Sequence, residues 1–398
     1  MPTNELMSSA PFPSWPSYSQ AEVEAVAATL ASGRVNYWTG TEGRQFEREF
    51  AAAMNSSHAV ALGNGTLALD VALQALGIGP GDEVIVTPRS FIASVSTVVN
   101  AGATPVFADV EQDSGNLSAR TVAPHITDRT KAIIPVHLAG WPCEMEALLT
   151  LARPLGIAII EDCAQAHGAR IDGKSVGSFG DIGAWSFCQD KIMTTGGEGG
   201  MVTTDSEELW RAMWSYKDHG KSWDAVYNRD HPPGFRWLHE SFGTNWRMLE
   251  MQAAIGRIQL ELLKEWSDRR RAIADRYRAM LAPFDAIVRA PWPDSRVRHA
   301  AYRFYAYVRP ETLAHGWSRD RIVAEVDAKK IPLLHGTCSE VYREKAFAGT
   351  GFVPQQRLPV ARELGETSLM FLTHPTLRDD DIDRICNTVA EVLAEAAG

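Results

Sequence analysis

Between residues 58 and 216 the chain alternates short, apolar, β-branched runs with segments patterned at helical spacing, which leaves little choice of architecture. Candidate strands occupy 58–62, 83–87, 105–109, 132–137, 157–162, 184–188 and 200–204. Candidate helices fall between them at 66–76, 92–101, 144–152 and 207–216. A parallel strand is reached only through a crossover, so strand–helix alternation implies βαβ units and a mainly parallel sheet. Such sheets bind ligands beyond the carboxyl ends of their strands. Asp162, Ser186 and the turn at 63–66 all lie at such ends.

The texture changes near Met248. Met251, Ile255, Ile258, Leu262 and Trp266 recur at helical spacing and predict a long helix over 248–282. This helix is expected to lead from a large domain, 1–255, into a smaller C-terminal one, 256–398. Short strands are expected over 283–313, and helices over 319–328 and 379–397. The class is therefore α/β with a smaller α+β domain, and 398 residues suffice for both.

A net charge of -10 argues against nucleic acid as a partner, because phosphate backbones need a basic surface. No stretch reaches the roughly 18 apolar residues of a membrane helix, and the first ten residues lack the pattern of a secretory signal. The cysteines at 143, 163, 188, 338 and 386 form no paired motif. That usage fits a reduced, cytoplasmic protein with neither disulfides nor a metal site.

Two nucleotide-binding patterns occur. Residues 168–175 match a phosphate loop by letter, but five residues separate them from the strand and no helix start follows, so a hairpin turn at Asp172-Gly173 is expected instead. Residues 63–68 read Gly-x-Gly-x-x-Ala between a strand and a helix. This favours a phosphate at the helix N-terminus, while Thr87-Pro88-Arg89 stands where a ribose-binding acid belongs.

Lys191 lies in a Ser- and Gly-rich segment about thirty residues after a strand that ends in Glu161-Asp162. A lysine able to form a Schiff base with an aldehyde, and a strand-end carboxylate able to keep a pyridine nitrogen protonated, point to pyridoxal 5'-phosphate. In that reading Asp162 pairs with the ring nitrogen and Gln165 with the ring hydroxyl. Gly65, Thr66 and Ser186 take the phosphate. Lys191 then serves as the base that moves a proton, which requires burial and neighbouring charge to lower its pKa. Each residue also has an ordinary reading: Asp162 as a turn cap, Gln165 as a helix-face amide, Ser186 as a locally paired hydroxyl, Phe91 as core.

Taken together, segments 63–69, 101–107, 133–137, 161–168, 180–187, 191–200 and 245–256 resemble the DegT/StrS family of nucleotide-sugar aminotransferases, a branch of the fold-type I pyridoxal phosphate enzymes. The resemblance implies an aspartate-aminotransferase-like large domain and a homodimer with shared active sites. It also implies Phe91 stacked on the cofactor ring and Asn245 reaching the partner's cofactor phosphate. Read on its own, Asn245 is a helix N-cap. The turn at 87–93 is one residue shorter than the common family form, and Lys217 stands where many members carry arginine. Some members replace the lysine with histidine and dehydrate sugars; Lys191 favours transamination. The implied reaction moves an amino group from glutamate to a nucleotide-linked keto sugar, first a 4-keto-6-deoxyhexose, with a 3-keto sugar or keto-cyclitol as the alternative. A non-catalytic binding protein on the same fold is the reading from another class. Trp38 and His335 are candidate sugar contacts, with structural roles equally open to them.

Overall fold

The computed structural model describes residues 12–398. Two helices precede the first strand, α1 (Gln20–Ala31) and α2 (Glu42–Ala53). Ser19 starts α1 through a reciprocal capping box with Glu22. The sequence reading did not include either helix.

The large sheet is built from β1 (His58–Leu62), β2 (Glu83–Val86), β3 (Thr104–Phe107), β4 (Thr130–Ile134) and β5 (Ala158–Asp162). A hairpin of β6 (Arg170–Ile171) and β7 (Lys174–Ser175) follows, then β8 (Ile182–Ser186) and β9 (Gly200–Thr204). The order across the sheet is β1-β9-β8-β5-β4-β2-β3. β8, β5, β4, β2 and β3 pair in parallel, and only β9 runs against both its neighbours. The letters resembling a phosphate loop thus form the β6–β7 hairpin, turning at Asp172 and Gly173 with φ of 48° and 81°.

Helices α3 (Gly65–Ala75), α4 (Ala93–Asn100), α5 (Met145–Ala152) and α6 (Glu207–Lys217) connect the strands. The end signals of α3 explain its limits. The Asn64 side chain accepts from Leu67 N at 3.0 Å, and Gly77 follows the last turn in the left-handed region at φ 67°. Inside, Phe46 and Phe50 of α2 meet Trp185 and Phe187 with ring centroids 5.2–5.4 Å apart. Each such ring is fully buried, and full burial of a large apolar side chain contributes about 1.5–3 kcal/mol.

Helix α7 (Glu250–Leu281) is the long helix expected over 248–282. Its first half lies on α1 and α2. The fit at Gly256 is close enough that a Cβ there would stand 2.6 Å from the Phe46 ring. Its second half buries Ile273, Tyr277 and Leu281 in a separate core with Phe304, Phe371 and Ile385. That core lies on a four-stranded sheet, β10-β12-β14-β13, made of β10 (Val288–Arg289), β12 (Arg303–Val308), β13 (Leu333–Leu334) and β14 (Ser368–Leu372). The short β11 (Val297–Arg298) instead extends the β6–β7 hairpin. Helices α8 (Arg319–Ala328) and α9 (Asp379–Ala397) complete this part.

Candidate active site

The carboxyl ends of β5 and β8 and the N-terminus of α3 converge on a cavity of about 580 Å³, closed on its far side by residues of β12 and the 336–337 turn. Gly65, Thr66, Phe91, Asp162, Gln165, Ser186 and Lys191 all line it. Alternation along β5 explains the placing of Asp162. Neighbouring side chains on a strand face opposite ways, so Glu161 turns into the protein while Asp162 faces the cavity.

Asp162 is held rigidly. Its Oδ2 accepts from Ser94 Oγ at 2.7 Å and its Oδ1 from Ala164 N at 3.1 Å. Gln165 accepts from Ala139 N through Oε1 at 2.8 Å, which leaves its NH2 group for a ligand. At the other end of the cavity, Asn64 caps Leu67 N, and the N–H groups of Gly65 and Thr66 have no acceptor among the described residues. A Cβ on Gly65 would stand 2.5 Å from Ser186 Cβ. The helix terminus and the serine hydroxyl therefore form one narrow anion cradle that only glycine leaves open.

Lys191 reaches the cavity between these ends. Its Nζ lies 3.5 Å from Asp190 Oδ1 and 5.3 Å from the Tyr302 ring centroid. Burial pushes its pKa down, but Tyr302 and Asp190 push harder the other way, so it stands above the ordinary lysine value. The lowering expected from the sequence is therefore not supplied by the protein's own groups, because the chain places an acid at the adjacent position. Asp190 sits below the ordinary carboxylate range: burial raises it, and Lys191, the Tyr302 hydroxyl at 2.6 Å and Arg303 outweigh that. The main chain of the lysine is held as well, its carbonyl accepting from Trp15 Nε1 at 2.8 Å.

Phe91 is 58% exposed at the cavity mouth. Three expected site residues do not line this chain's cavity, among them Asn245, whose expected place is the partner's site. Trp38 donates from Nε1 to Asp218 at 2.8 Å and carries Lys221 over its ring at 4.2 Å, which commits it to a buried charge cluster. The His335 side chain is mostly exposed, 3.4 Å from Asp320, although Gly336 and Thr337 beside it line the cavity. Asn245 is exposed and bridges to Asp218 by its main chain. Conversely, Ser94, Asp190, Tyr302, Arg303, Tyr305 and Thr337 line the cavity without having been picked out. The adjacency of Asp190 to Lys191 was a usable signal. Nothing local marks Tyr302 and Arg303.

His137, Glu161 and Cys163 lie close enough together to suggest a metal, but the lone pairs of the imidazole and the carboxylate are committed. Glu161 accepts from Gly177, Phe179 and Gly180 N at 2.7–2.8 Å and pairs with His137 Nε2 at 3.0 Å; His137 Nδ1 accepts from Cys143 N at 3.0 Å. Among the described residues no helix is long and apolar enough to cross a membrane.

The cavity's donor set suits pyridoxal 5'-phosphate. It offers an anion cradle at one end, a fixed carboxylate with a free amide at the other, and a primary amine between. Comparison with known proteins agrees. The model of the DegT/DnrJ/EryC1/StrS aminotransferase family matches residues 16–390. A UDP-N-acetyl-3-dehydro-α-D-glucosamine 3-aminotransferase of Acidithiobacillus ferrooxidans is 37% identical over 89% of this chain and 89% of its own. A GDP-perosamine synthase of Caulobacter vibrioides is 38% identical over 89% and 92%. The crystal structure of an aminotransferase from Psychrobacter cryohalolentis superimposes with a TM-score of 0.96 at 57% identity, covering 98% of this chain and all of the other.

Proposed function

We propose, from the premise that this chain belongs to the DegT/DnrJ/EryC1/StrS aminotransferase family and is a pyridoxal phosphate-dependent sugar aminotransferase, that it transfers the amino group of glutamate to a nucleotide-linked 4-keto-6-deoxyhexose. The observation that carries this reading is the meeting of Lys191, Asp162 and the α3 N-terminus around one cavity. When bound, pyridoxal phosphate supplies an aldehyde and an electron-withdrawing ring. The chain's own residues do the rest. Gly65, Thr66 and Ser186 fix the phosphate, and Asp162, immobilised by Ser94 and Ala164, keeps a positive charge at the ring nitrogen. Gln165, with its NH2 group free, would donate to the ring hydroxyl, and Phe91 at the cavity mouth would cover one ring face. Lys191 Nζ would take the proton from the donor carbon and deliver it to the cofactor's aldehyde carbon, two bonds away across the nitrogen. The enzyme works as a homodimer in the cytoplasm, with Asn245 reaching the partner's site. In support, the segment just before Asn245 exposes Phe235, Trp237 and Phe242 at 75%, 79% and 99%, an apolar surface of the kind that a second copy covers.

A 3-keto acceptor is the second reading, favoured by the relative named as a 3-aminotransferase. An absorbance titration tests both. Glutamate should bleach the visible band of the cofactor-loaded protein, and a 4-keto-6-deoxy nucleotide sugar should restore it. Restoration by UDP-N-acetyl-3-dehydroglucosamine alone would transfer the assignment to carbon 3, and a band indifferent to glutamate would remove the donor. The cradle has its own test. Gly65→Ala should weaken pyridoxal phosphate binding about 10- to 100-fold, since the added carbon must displace Ser186. An unchanged dissociation constant would put the phosphate elsewhere.

A further inference from the structure

Two basic side chains line the cavity, Lys191 and Arg303. Lys191 is committed to the chemistry. Arg303 is the first residue of β12, where its guanidinium lies 4.3 Å from the Tyr302 ring centroid and donates one hydrogen bond, from Nη1 to Tyr302 O at 3.0 Å. The platform beneath it is locked, because the Tyr302 hydroxyl is spent on Asp190 Oδ2. Asp190, an acid of the same cavity, is held by that hydroxyl and by Lys191. Among the described residues no carboxylate forms an ion pair with Arg303, whereas Arg247 has one and Arg257, Arg289 and Arg357 have two each. A pre-oriented guanidinium with free N–H groups beside a reactive amine is a binding site for a planar anion.

We propose that Arg303 anchors the α-carboxylate of the amino donor. This rests on the reading of the protein as an amino-acid-dependent transaminase, and it supplies the residue that positions the donor. Distance along the substrate decides between the two anions that enter the cavity. Lys191 Nζ and the Arg303 guanidinium both stand over the Tyr302 ring. An α-carboxylate is one bond from the carbon whose proton Lys191 removes. The diphosphate of a nucleotide sugar is several bonds from its keto carbon, on the far side of the ring. The cofactor phosphate is accounted for at the α3 N-terminus. A carboxylate gripped by Arg303 thus presents the donor carbon to Nζ, and a positive charge there rejects simple amines.

The test uses the pyridoxal phosphate-loaded protein and 2-oxoglutarate, which binds that form without turnover and is read by calorimetry. Arg303→Gln should weaken 2-oxoglutarate binding about 10- to 100-fold, the usual effect of losing charge-assisted hydrogen bonds. Cofactor affinity, melting temperature and UDP binding should stay as in the wild type. Arg303→Lys, which keeps a charge without the fork, should recover part of the loss and serves if the glutamine variant does not fold. In stopped flow, the same variants should raise the glutamate concentration needed for half-maximal bleaching more than they lower the limiting rate. Unchanged 2-oxoglutarate binding in Arg303→Gln overturns the proposal. So does a loss confined to UDP, which would assign Arg303 to the acceptor's phosphates. If wild-type protein ignores glutamate but is bleached by L-glutamine, L-aspartate or L-alanine, the donor in the functional reading is wrong. Arg303 is then judged with that amino acid and its keto acid, since the α-carboxylate is common to all.

Discussion

Lys191→Ala protein should keep its fold and lose roughly 10⁴-fold in turnover. The loss follows from the cavity, which offers no second amine among the described residues: its other cation, Arg303, is a guanidinium, and the acids Asp162 and Asp190 are each held by hydrogen bonds. Removing a positioned base costs about 10²- to 10⁴-fold, and this residue also forms the covalent bond to the cofactor, so the upper end applies. The fold should survive because the Lys191 side chain makes one contact of consequence, with Asp190, which keeps its bond to Tyr302. Single-turnover absorbance with glutamate and a thermal melt check the two halves. Wild-type bleaching in the variant would mean that another group moves the proton.

The largest effect on stability should come from the residue before Asp162. Glu161 is fully buried and accepts from three main-chain N–H groups besides His137. Glu161→Ala strands all of these donors in a dry interior, a loss of about 3–5 kcal/mol. Urea unfolding at neutral pH would show it; a change under about 1 kcal/mol would mean that the turn relaxes to water. The acid sits below the ordinary carboxylate value: burial raises it, and His137 and the main-chain donors prevail. A group depressed in the folded state gives its full stabilisation above its unfolded pKa, about 4.3, and loses it as pH falls through the folded value. Wild-type stability should therefore decline below about pH 4, and Glu161→Ala should flatten that decline.

The same two residues show what could be read from sequence. Alternation in a β-strand is strict, so a run ending in Glu161-Asp162 had to send one acid inward and one toward the crevice beyond the strand ends. The helix and strand repeats likewise carried the parallel sheet. What escaped was long-range. β9 runs against β8 and β1, and no local pattern distinguishes it from a parallel strand. α1 was missed because its apolar residues do not gather on one face: Val23 and Leu30 are exposed while Glu22 is buried. Glu22 is turned inward by Gln259, which in turn accepts from Thr194 N beside the lysine segment. Tyr302 and Arg303 reach the cavity because Ala301, at φ 49°, breaks the chain's direction just before β12, a turn that alanine does not announce. Trp38 was one candidate sugar contact with a structural role equally open, and its indole N–H is bonded to the buried Asp218, a partner 180 residues away that no local pattern announces.

Trp15 donates to the Lys191 carbonyl, and it is itself packed against Trp266, Arg270 and His374, while Thr376 holds the neighbouring Ser14 carbonyl at 3.0 Å. The brace behind the reactive amine thus joins residues near the start of the described chain to the long helix α7 and to residues 374–376. In the order of synthesis this sets a deadline. A nascent protein still lacking residues 374–376 can already have its central sheet, with Trp266 and Arg270 beside Trp15, yet the clasp lacks the side made by His374 and Thr376. A chain cut short before residue 374 would carry the lysine with that side of its brace missing.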